Sequence, residues 1–281
     1  MRVLSLYSGA GGIDEGMRQA GVDTTVAIER DLDCCRTLKI NHPGMEVLRG
    51  NVSDFESTLG KFDVIVGGPP CQDFSSANPN RGRDPTEVHR FFRIAARTGA
   101  GVIMMENVKE VIRVIPPHMG NLIVHRVNTA DYGLPQVRIR MIISTMARPV
   151  YTHVRNPRNF TLNGNPQKPW ETIGGALDIE GFVCNRKMNF IHTKHHFPTS
   201  GQICTVLTQT SFWFRPTPDF AAARNISTER RELTVREHAI LQGFPPGYEF
   251  VGSRCSQKRQ IGNALPPPVT REFFCQNGVG K

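Results

Sequence analysis

The chain has 281 residues, 39% of them hydrophobic and 21% charged, which suits a large domain with a smaller companion. No apolar run approaches the ~20 residues of a membrane helix, and membrane, collagenous and coiled-coil classes are excluded; residues 1–7 lead straight into a glycine loop, so no signal peptide is expected. The net charge of +9 is uneven: residues 1–145 carry 17 Lys and Arg against 16 Asp and Glu, residues 146–281 carry 17 against 9, and a polyanion partner is expected for the C-terminal half.

In chain order, Val3–Tyr7 is expected to be a strand, Ile13–Ala20 a helix, Thr25–Glu29 a strand and Leu32–Asn41 a helix. Strands follow at Val47–Leu48, Phe62–Gly67 and Val102–Met105, with a helix over Glu87–Arg97 before the last; Arg138–Ser144 is a further strand. This alternation predicts an α/β fold with a mostly parallel sheet wrapped by helices. From Pro149 to Pro218, Pro, Asn, Thr and Gly accumulate and helical periodicity disappears, as in a smaller irregular module of short strands and loops. There Phe212 and Phe214 should alternate into a small core, with Trp213 opposite. Helical pattern returns over Thr234–Gln242, opened by Thr234-x-x-Glu237, a capping box. Residues 1–145, completed by 256–281, are read as one domain, and 146–255 as a second with a return segment.

The seven cysteines (34, 35, 71, 184, 204, 255, 275) include no Cys-x-x-Cys pair, so neither a zinc knuckle nor a redox motif is present and no metal is expected. Reduced thiols and an intracellular location are expected.

Three segments carry chemistry. The first, Leu4-Ser-Leu-Tyr-Ser-Gly-Ala-Gly-Gly12, is a strand feeding a glycine loop, where the lack of Cβ atoms lets backbone approach a ligand. Glu29 stands 20 residues after Gly9, at the end of the next strand, where a carboxylate can accept both ribose hydroxyls. Asp14 breaks the dinucleotide spacing Gly-x-Gly-x-x-Gly, which disfavours a nicotinamide cofactor. In the second, Gly67-Gly-Pro-Pro-Cys-Gln-Asp-Phe-Ser75, two prolines stiffen a turn after a strand and present Cys71 at the sheet's carboxyl edge, as a thiolate nucleophile requires. In the third, Met104-Met-Glu-Asn-Val108, a strand delivers Glu106 to the same edge. Taken alone, that acid reads more readily as part of a helix N-terminus.

Together these segments resemble the cytosine-C5 DNA methyltransferase family. The resemblance continues through Gln136-Val-Arg-Ile-Arg140, through Arg231-Glu-Leu-Thr-Val-Arg-Glu237 with Leu241-Gln-Gly-Phe-Pro245, and through Gln260-Ile-Gly-Asn-Ala-Leu-Pro266. It implies a Rossmann-like domain that uses S-adenosyl-L-methionine, plus a target-recognition domain, acting on double-stranded DNA as a monomer. In the cofactor site, Tyr7 matches the aromatic that packs on the cofactor, and Ser8, Gly9, Ala10, Gly11 and Gly12 match the loop around its methionine end. Glu29 matches the ribose acid, Arg30 follows it beside the adenine, and Asn51, Val52 and Pro69 complete the wall that Asn263 and Ala264 close. Cys71 matches the nucleophile and Glu106 the acid at N3 and N4 of a flipped cytosine. Arg140 matches the arginine at its O2, Arg138 a neighbour to base or phosphate, and Pro70 would turn its carbonyl towards N4. DNA contacts are expected from Gln72, Ser75, Arg81, Arg83, Thr208 and Arg215.

Two features depart from the family pattern. Asn51 stands where the family usually has Asp; its carboxamide oxygen can still accept from the adenine amino group, without the charge. Only 29 residues separate Glu106 from Gln136, so a helix that normally flanks the sheet must be shortened or missing. An RNA-directed relative is the alternative, but the Cys-Phe-Thr that marks the tRNA branch is absent.

Overall fold

A computed structural model describes residues 1–70, 84–116, 120–155, 161–162, 165–185, 196–204 and 212–280. The N-terminal half provides strands β1 (Val3–Leu6), β2 (Val26–Glu29), β3 (Glu46–Arg49), β4 (Val64–Gly67), β5 (Val102–Asn107), β6 (Ile123–Asn128), β7 (Gln136–Val137) and β8 (Ile139–Ser144). Its helices are α1 (Gly12–Gln19), α2 (Leu32–Asn41), α3 (Val52–Phe55) and α4 (Thr86–Thr98).

Seven of the strands form one sheet in the order β3-β2-β1-β4-β5-β8-β6. Strands β1 to β5 run parallel, and β8 is antiparallel to both of its neighbours. Every residue of β1 and β4 is buried, because helices cover both faces; such strands read as unbroken apolar runs. Chain order reverses between β1 and β4, which opens a crevice at their carboxyl ends. One face packs Leu4, Leu6, Ile65 and Met105 under α4, which contributes Val88, Phe91 and Ile94 before ending at Gly99 (φ 76°). The other packs Val64, Val66 and Met104 under the C-terminal helix Pro267–Gln276, through Val269, Phe273 and Phe274.

That helix also touches α1 with no side chain between. A Cβ on Gly16 would stand 2.4 Å from the carbonyl oxygen of Pro267, and one on Gly12 would stand 2.3 Å from that of Leu265. Only glycine admits this approach, and it brings residues 264–267 beside the start of α1.

The structure differs from expectation in two places near the sheet edge. Strand β5 runs two residues further than the sequence indicated, so Glu106 lies in a strand and not at a helix N-terminus. Strand β6 was not foreseen, and between it and β5 the described residues hold only a 3-10 segment, Lys109–Val114, whose Val111 is fully buried. A short connection thus covers the core with Val111 and the half-buried Val108, Val114, Ile115 and Leu122, where a full helix would need more chain.

In the second half, strands His196–Pro198, Gly181–Asn185, Phe212–Pro216 and Arg231–Glu232 form an antiparallel sheet in that order. Phe212 and Phe214 point into its core beside Val183 and Leu233, and Trp213 lies on the opposite face, as alternation predicts. Two short helices were not foreseen: Ile173–Leu177, capped by Thr172, and Pro218–Arg224, capped by Thr217 with proline in its first turn. Each is too short for periodicity to register. The capping box at Thr234 and Glu237 is formed, opening helix Val235–Leu241. No described helix is long and apolar enough to cross a membrane, and no described group of His, Cys, Asp or Glu could hold a metal ion.

His238 in that helix is 1% exposed, with its ring tilted against Phe212 and its Nδ1–H donated to the Thr234 carbonyl at 2.8 Å. Burial first, then the nearby Lys258 charge, pulls its pKa below the usual 6.5. The unfolded chain therefore takes up this proton before the folded chain does. Stability should be unaffected above pH 6.5 and fall below it, by up to about 1.4 kcal/mol per pH unit for this residue. Burial of His125 and His153 adds in the same direction. Denaturant titrations across pH should show the decline, and His238→Leu should make it shallower; an unchanged slope would assign it to other groups.

Candidate active site

The crevice between β1 and β4 widens into a cleft of about 540 Å³. Its floor is the turn after β1, where Gly9 and Gly11 adopt positive φ (56° and 81°) and the Gly11 amide donates to the Ser8 carbonyl at 3.0 Å. Glu29, at the end of β2, braces this turn. Its Oε2 accepts the Gly9 amide and its Oε1 the Asp31 amide, both at 2.8 Å. Each carboxylate oxygen keeps a further lone pair for a ligand hydroxyl. Asp31 in turn caps α2, accepting from the amides of Asp33 and Cys34, and meets Arg259 Nη2 at 3.0 Å.

Tyr7 also takes a positive φ (54°), a strained setting for a non-glycine residue, and donates its hydroxyl to Glu87 Oε2 on α4 at 2.7 Å. Burial and the Glu87 carboxylate push its phenol far above the usual range, so it remains a neutral donor. Asn51 precedes α3 and donates its amide to Asp54 Oδ2 at 2.9 Å. Of the expected cofactor residues, Tyr7, Ser8, Gly9, Ala10, Gly12, Glu29, Arg30, Asn51, Val52, Pro69, Asn263 and Ala264 all line the cleft.

Gly11 does not. A Cβ there would meet Tyr248 Oη at 2.6 Å and Leu38 Cδ2 at 2.8 Å. It must be glycine because of what packs beneath the loop.

At the cleft's other end, Gly68, Pro69 and Pro70 meet Glu106. The Glu106 carboxylate pairs with Arg140 Nε at 2.9 Å, and both side chains are largely buried. Arg140 Nη1 donates to the Ile139 carbonyl at 2.8 Å, which fixes the guanidinium plane. A charge-assisted pair this enclosed holds both groups in one orientation. Asn107, which the sequence reading passed over, donates its Nδ2 to the Pro69 carbonyl at 3.1 Å and accepts the Val108 amide at 2.8 Å. It ties the start of the Pro-Pro turn to β5.

Arg138 is a correction. It was expected at a base or phosphate, but it is 1% exposed, with Nη2 donating to the carbonyls of Gly262 (3.0 Å) and Ala264 (3.3 Å). Beside it, Gln136 Nε2 donates to Gln242 Oε1 at 2.8 Å, and Gln242 Nε2 donates to the Ala264 carbonyl at 2.7 Å. Three motifs far apart in sequence thus meet at one carbonyl. Of the expected DNA contacts, Arg215 is exposed on strand Phe212–Pro216. Gln72, Ser75, Arg81, Arg83 and Thr208, like Cys71, the expected nucleophile, lie outside the described residues.

The sequence profile of the family described as C-5 cytosine-specific DNA methylase matches residues 1–115 and 163–276. Type II methyltransferase M.AquIA of Picosynechococcus sp. is 31% identical over 216 residues, 63% of this chain and 87% of that one. Type II methyltransferase M.NgoMIV of Neisseria gonorrhoeae is 27% identical over 301 residues, 95% and 93% of the two chains. The fold matches a crystal structure of an E. coli prophage-encoded chain assigned as a DNA modification methyltransferase, with a TM-score of 0.64, 19% identity and coverage of 98% and 97%.

The buried position of Arg138 makes its removal a matter of stability. Arg138→Met takes the donor from the Gly262 carbonyl and one of two donors from that of Ala264, and should cost about 1–3 kcal/mol in urea unfolding. Unchanged stability with lost nucleic-acid affinity would return Arg138 to the base.

Proposed function

The chain belongs to the C-5 cytosine-specific DNA methylase family, and from that premise we propose that it methylates C5 of a cytosine flipped out of double-stranded DNA. Attack by Cys71 on C6 opens the reaction, within a short recognition sequence. The observation that carries this reading is the Glu106–Arg140 pair at the end of a glycine-floored cleft, beside the Pro-Pro turn that leads to Cys71.

The cleft suits S-adenosyl-L-methionine. Glu29 is pre-set by two amides to accept ribose hydroxyls, Gly9 and Gly12 of the Ser8–Gly12 turn offer backbone without side chains, and Tyr7 supplies an uncharged aromatic face. Asn51 would accept from the adenine amino group, and Asn263 and Ala264 would close the wall. When bound, the cofactor supplies an electrophilic methyl group carried on a sulfonium.

The remaining steps belong to this chain's residues. C5 of cytosine is a poor nucleophile, so the Cys71 thiolate adds to C6 and converts C4–C5 into an enamine. Glu106, sharing a proton with N3, drains the charge that builds on the ring, and Arg140 polarises O2 while holding Glu106 in place. Once C5 carries the methyl group, a base removes its proton and the Cys71–C6 bond breaks, releasing the thiolate. The base must leave the duplex first, because C6 is unreachable in the stack.

Residues 1–145 with 256–281 would form the catalytic unit, and 146–255 would read the target. The basic balance of the second half and exposed Arg215 support contact with a polyanion. The enzyme would act as a monomer, inside the cell.

Three measurements test the reading. Glu29→Ala should weaken binding of S-adenosyl-L-methionine by ~1.5–3 kcal/mol in calorimetry. Glu106→Gln keeps the shape but removes the acid, and should slow methyl transfer at least ~100-fold with folding intact. Fluorine at C5 cannot leave as a cation, so duplex DNA with 5-fluorocytosine at the target should trap the enzyme covalently when cofactor is present. The adduct should map to the Cys71 peptide and vanish in Cys71→Ser. Trapping that survives Cys71→Ser overturns the mechanism, and preferential trapping on tRNA overturns the choice of substrate.

A further inference from the structure

Beneath the cofactor loop lies a polar cluster that no step above uses: Asp14, His42 and Tyr248 are all buried. The Tyr248 ring is wedged between Phe244 and Phe250, at centroid distances of 4.8 and 5.3 Å, with the His42 ring edge-on at 5.9 Å. Its hydroxyl donates to the carbonyl of Ala10 at 2.6 Å. His42 Nε2 stands 3.3 Å from the same oxygen. A phenol has one proton, and here it goes to Ala10, so His42 must supply an N–H to the phenol oxygen. Each donor in such a chain polarises the next. Burial, reinforced by the Asp14 carboxylate, keeps the phenol protonated far above the usual range, so the donor persists.

The same oxygen acts on the next residue by exclusion. It stands 2.6 Å from where a Cβ on Gly11 would be, and Gly11 holds φ at 81°. One hydroxyl therefore fixes the carbonyl of Ala10 and forbids a side chain at Gly11. Between them these residues turn the loop from β1 into α1, and Ala10 lines the cleft. Nothing local holds that carbonyl; its partner comes from 238 residues further along the chain.

We infer that Tyr248 is a positioning residue for the cofactor site, holding the Ala10–Gly11 peptide in its ligand-ready orientation, with His42 directing the hydroxyl. This rests on the assignment of the cleft to S-adenosyl-L-methionine.

The test is calorimetric binding of S-adenosyl-L-methionine to the full chain, at a temperature well below the unfolding midpoint. Tyr248→Phe should weaken cofactor affinity about tenfold, which is about 1.4 kcal/mol. Turnover at saturating cofactor, and DNA affinity without cofactor, should stay within about twofold, so the defect appears in KM and not in kcat. A residue that only stabilised the fold would lower the midpoint and leave the affinity alone. A folded Tyr248→Phe with wild-type cofactor affinity overturns the role. If that variant does not fold, the His42 pair decides. His42→Gln can still donate to the phenol oxygen and should bind like wild type, whereas His42→Leu should bind several-fold more weakly; equal affinities overturn the role. Wild-type protein that fails to bind the cofactor overturns the cofactor assignment, and this role with it.

Discussion

The carbonyl of Ala264 accepts hydrogen bonds from Arg138 and from Gln242, and much of the molecule is arranged around that point. Arg138 comes from the segment joining β7 to β8, Gln242 from the end of helix Val235–Leu241, and Ala264 from the end of helix Arg254–Asn263. Gln136 adds a second link through the Gln242 side chain. Strand β7 meanwhile pairs with Ile203–Cys204 of the irregular half. The sheet edge that delivers Arg140, the irregular half and the cleft wall at Asn263 and Ala264 are therefore fastened together. Moving any one of them breaks hydrogen bonds in a dry interior, where an unpaired polar group costs about 1–3 kcal/mol.

The two arginines of Gln136-Val-Arg-Ile-Arg140 divide the labour. A guanidinium is charged at any accessible pH and offers five donors, so burying it demands acceptors. Arg138 meets part of that demand with the backbone carbonyls of Gly262 and Ala264. Arg140 meets part of it with the Glu106 carboxylate, at the edge of the cleft. Breaking a buried ion pair by removing one partner leaves the other charge stranded. Glu106 and Arg140 thus hold each other in place before any base arrives.

The parallel core was legible in the sequence because its strands are apolar on both faces, and the glycine turn with Glu29 because those contacts span 20 residues or fewer. Strand β6 escaped because Ile123-Val-His-Arg-Val-Asn128 is an edge strand that leaves the apolar Ile123 and Val124 exposed and buries the polar His125, which hides any apolar alternation. Arg138 was misplaced for a definable reason. It was put beside Arg140 by resemblance alone, whereas residue 138 falls between β7 and β8 and its guanidinium meets carbonyls more than 120 residues further along the chain. The packing of Tyr248 and Leu38 against Gly11 was not foreseen, and Gln242 and Asn107 were passed over. These are contacts that no local pattern of residues announces. Cys71 is a motif reading throughout.

The cleft is closed by a wall from the far end of the chain, and the strength of that closure is graded. Helix Arg254–Asn263 lies along α2 through three contacts: Arg259 with Asp31 at 3.0 Å, Ser256 Oγ with Asp33 Oδ2 at 2.7 Å, and Thr37 Oγ1 with Gln260 Oε1 at 2.7 Å. The first is half exposed and sits on the cleft rim, so solvent screens it and it contributes little to stability. The last is fully buried, where an unmade hydrogen bond is costly. The helix is therefore anchored at its buried side and only lightly latched at the mouth. A ligand can displace the Arg259–Asp31 contact without loosening the wall behind it. Ligand-binding parts of proteins come from the weakly held end of the stability range, and here that end is a single solvated ion pair.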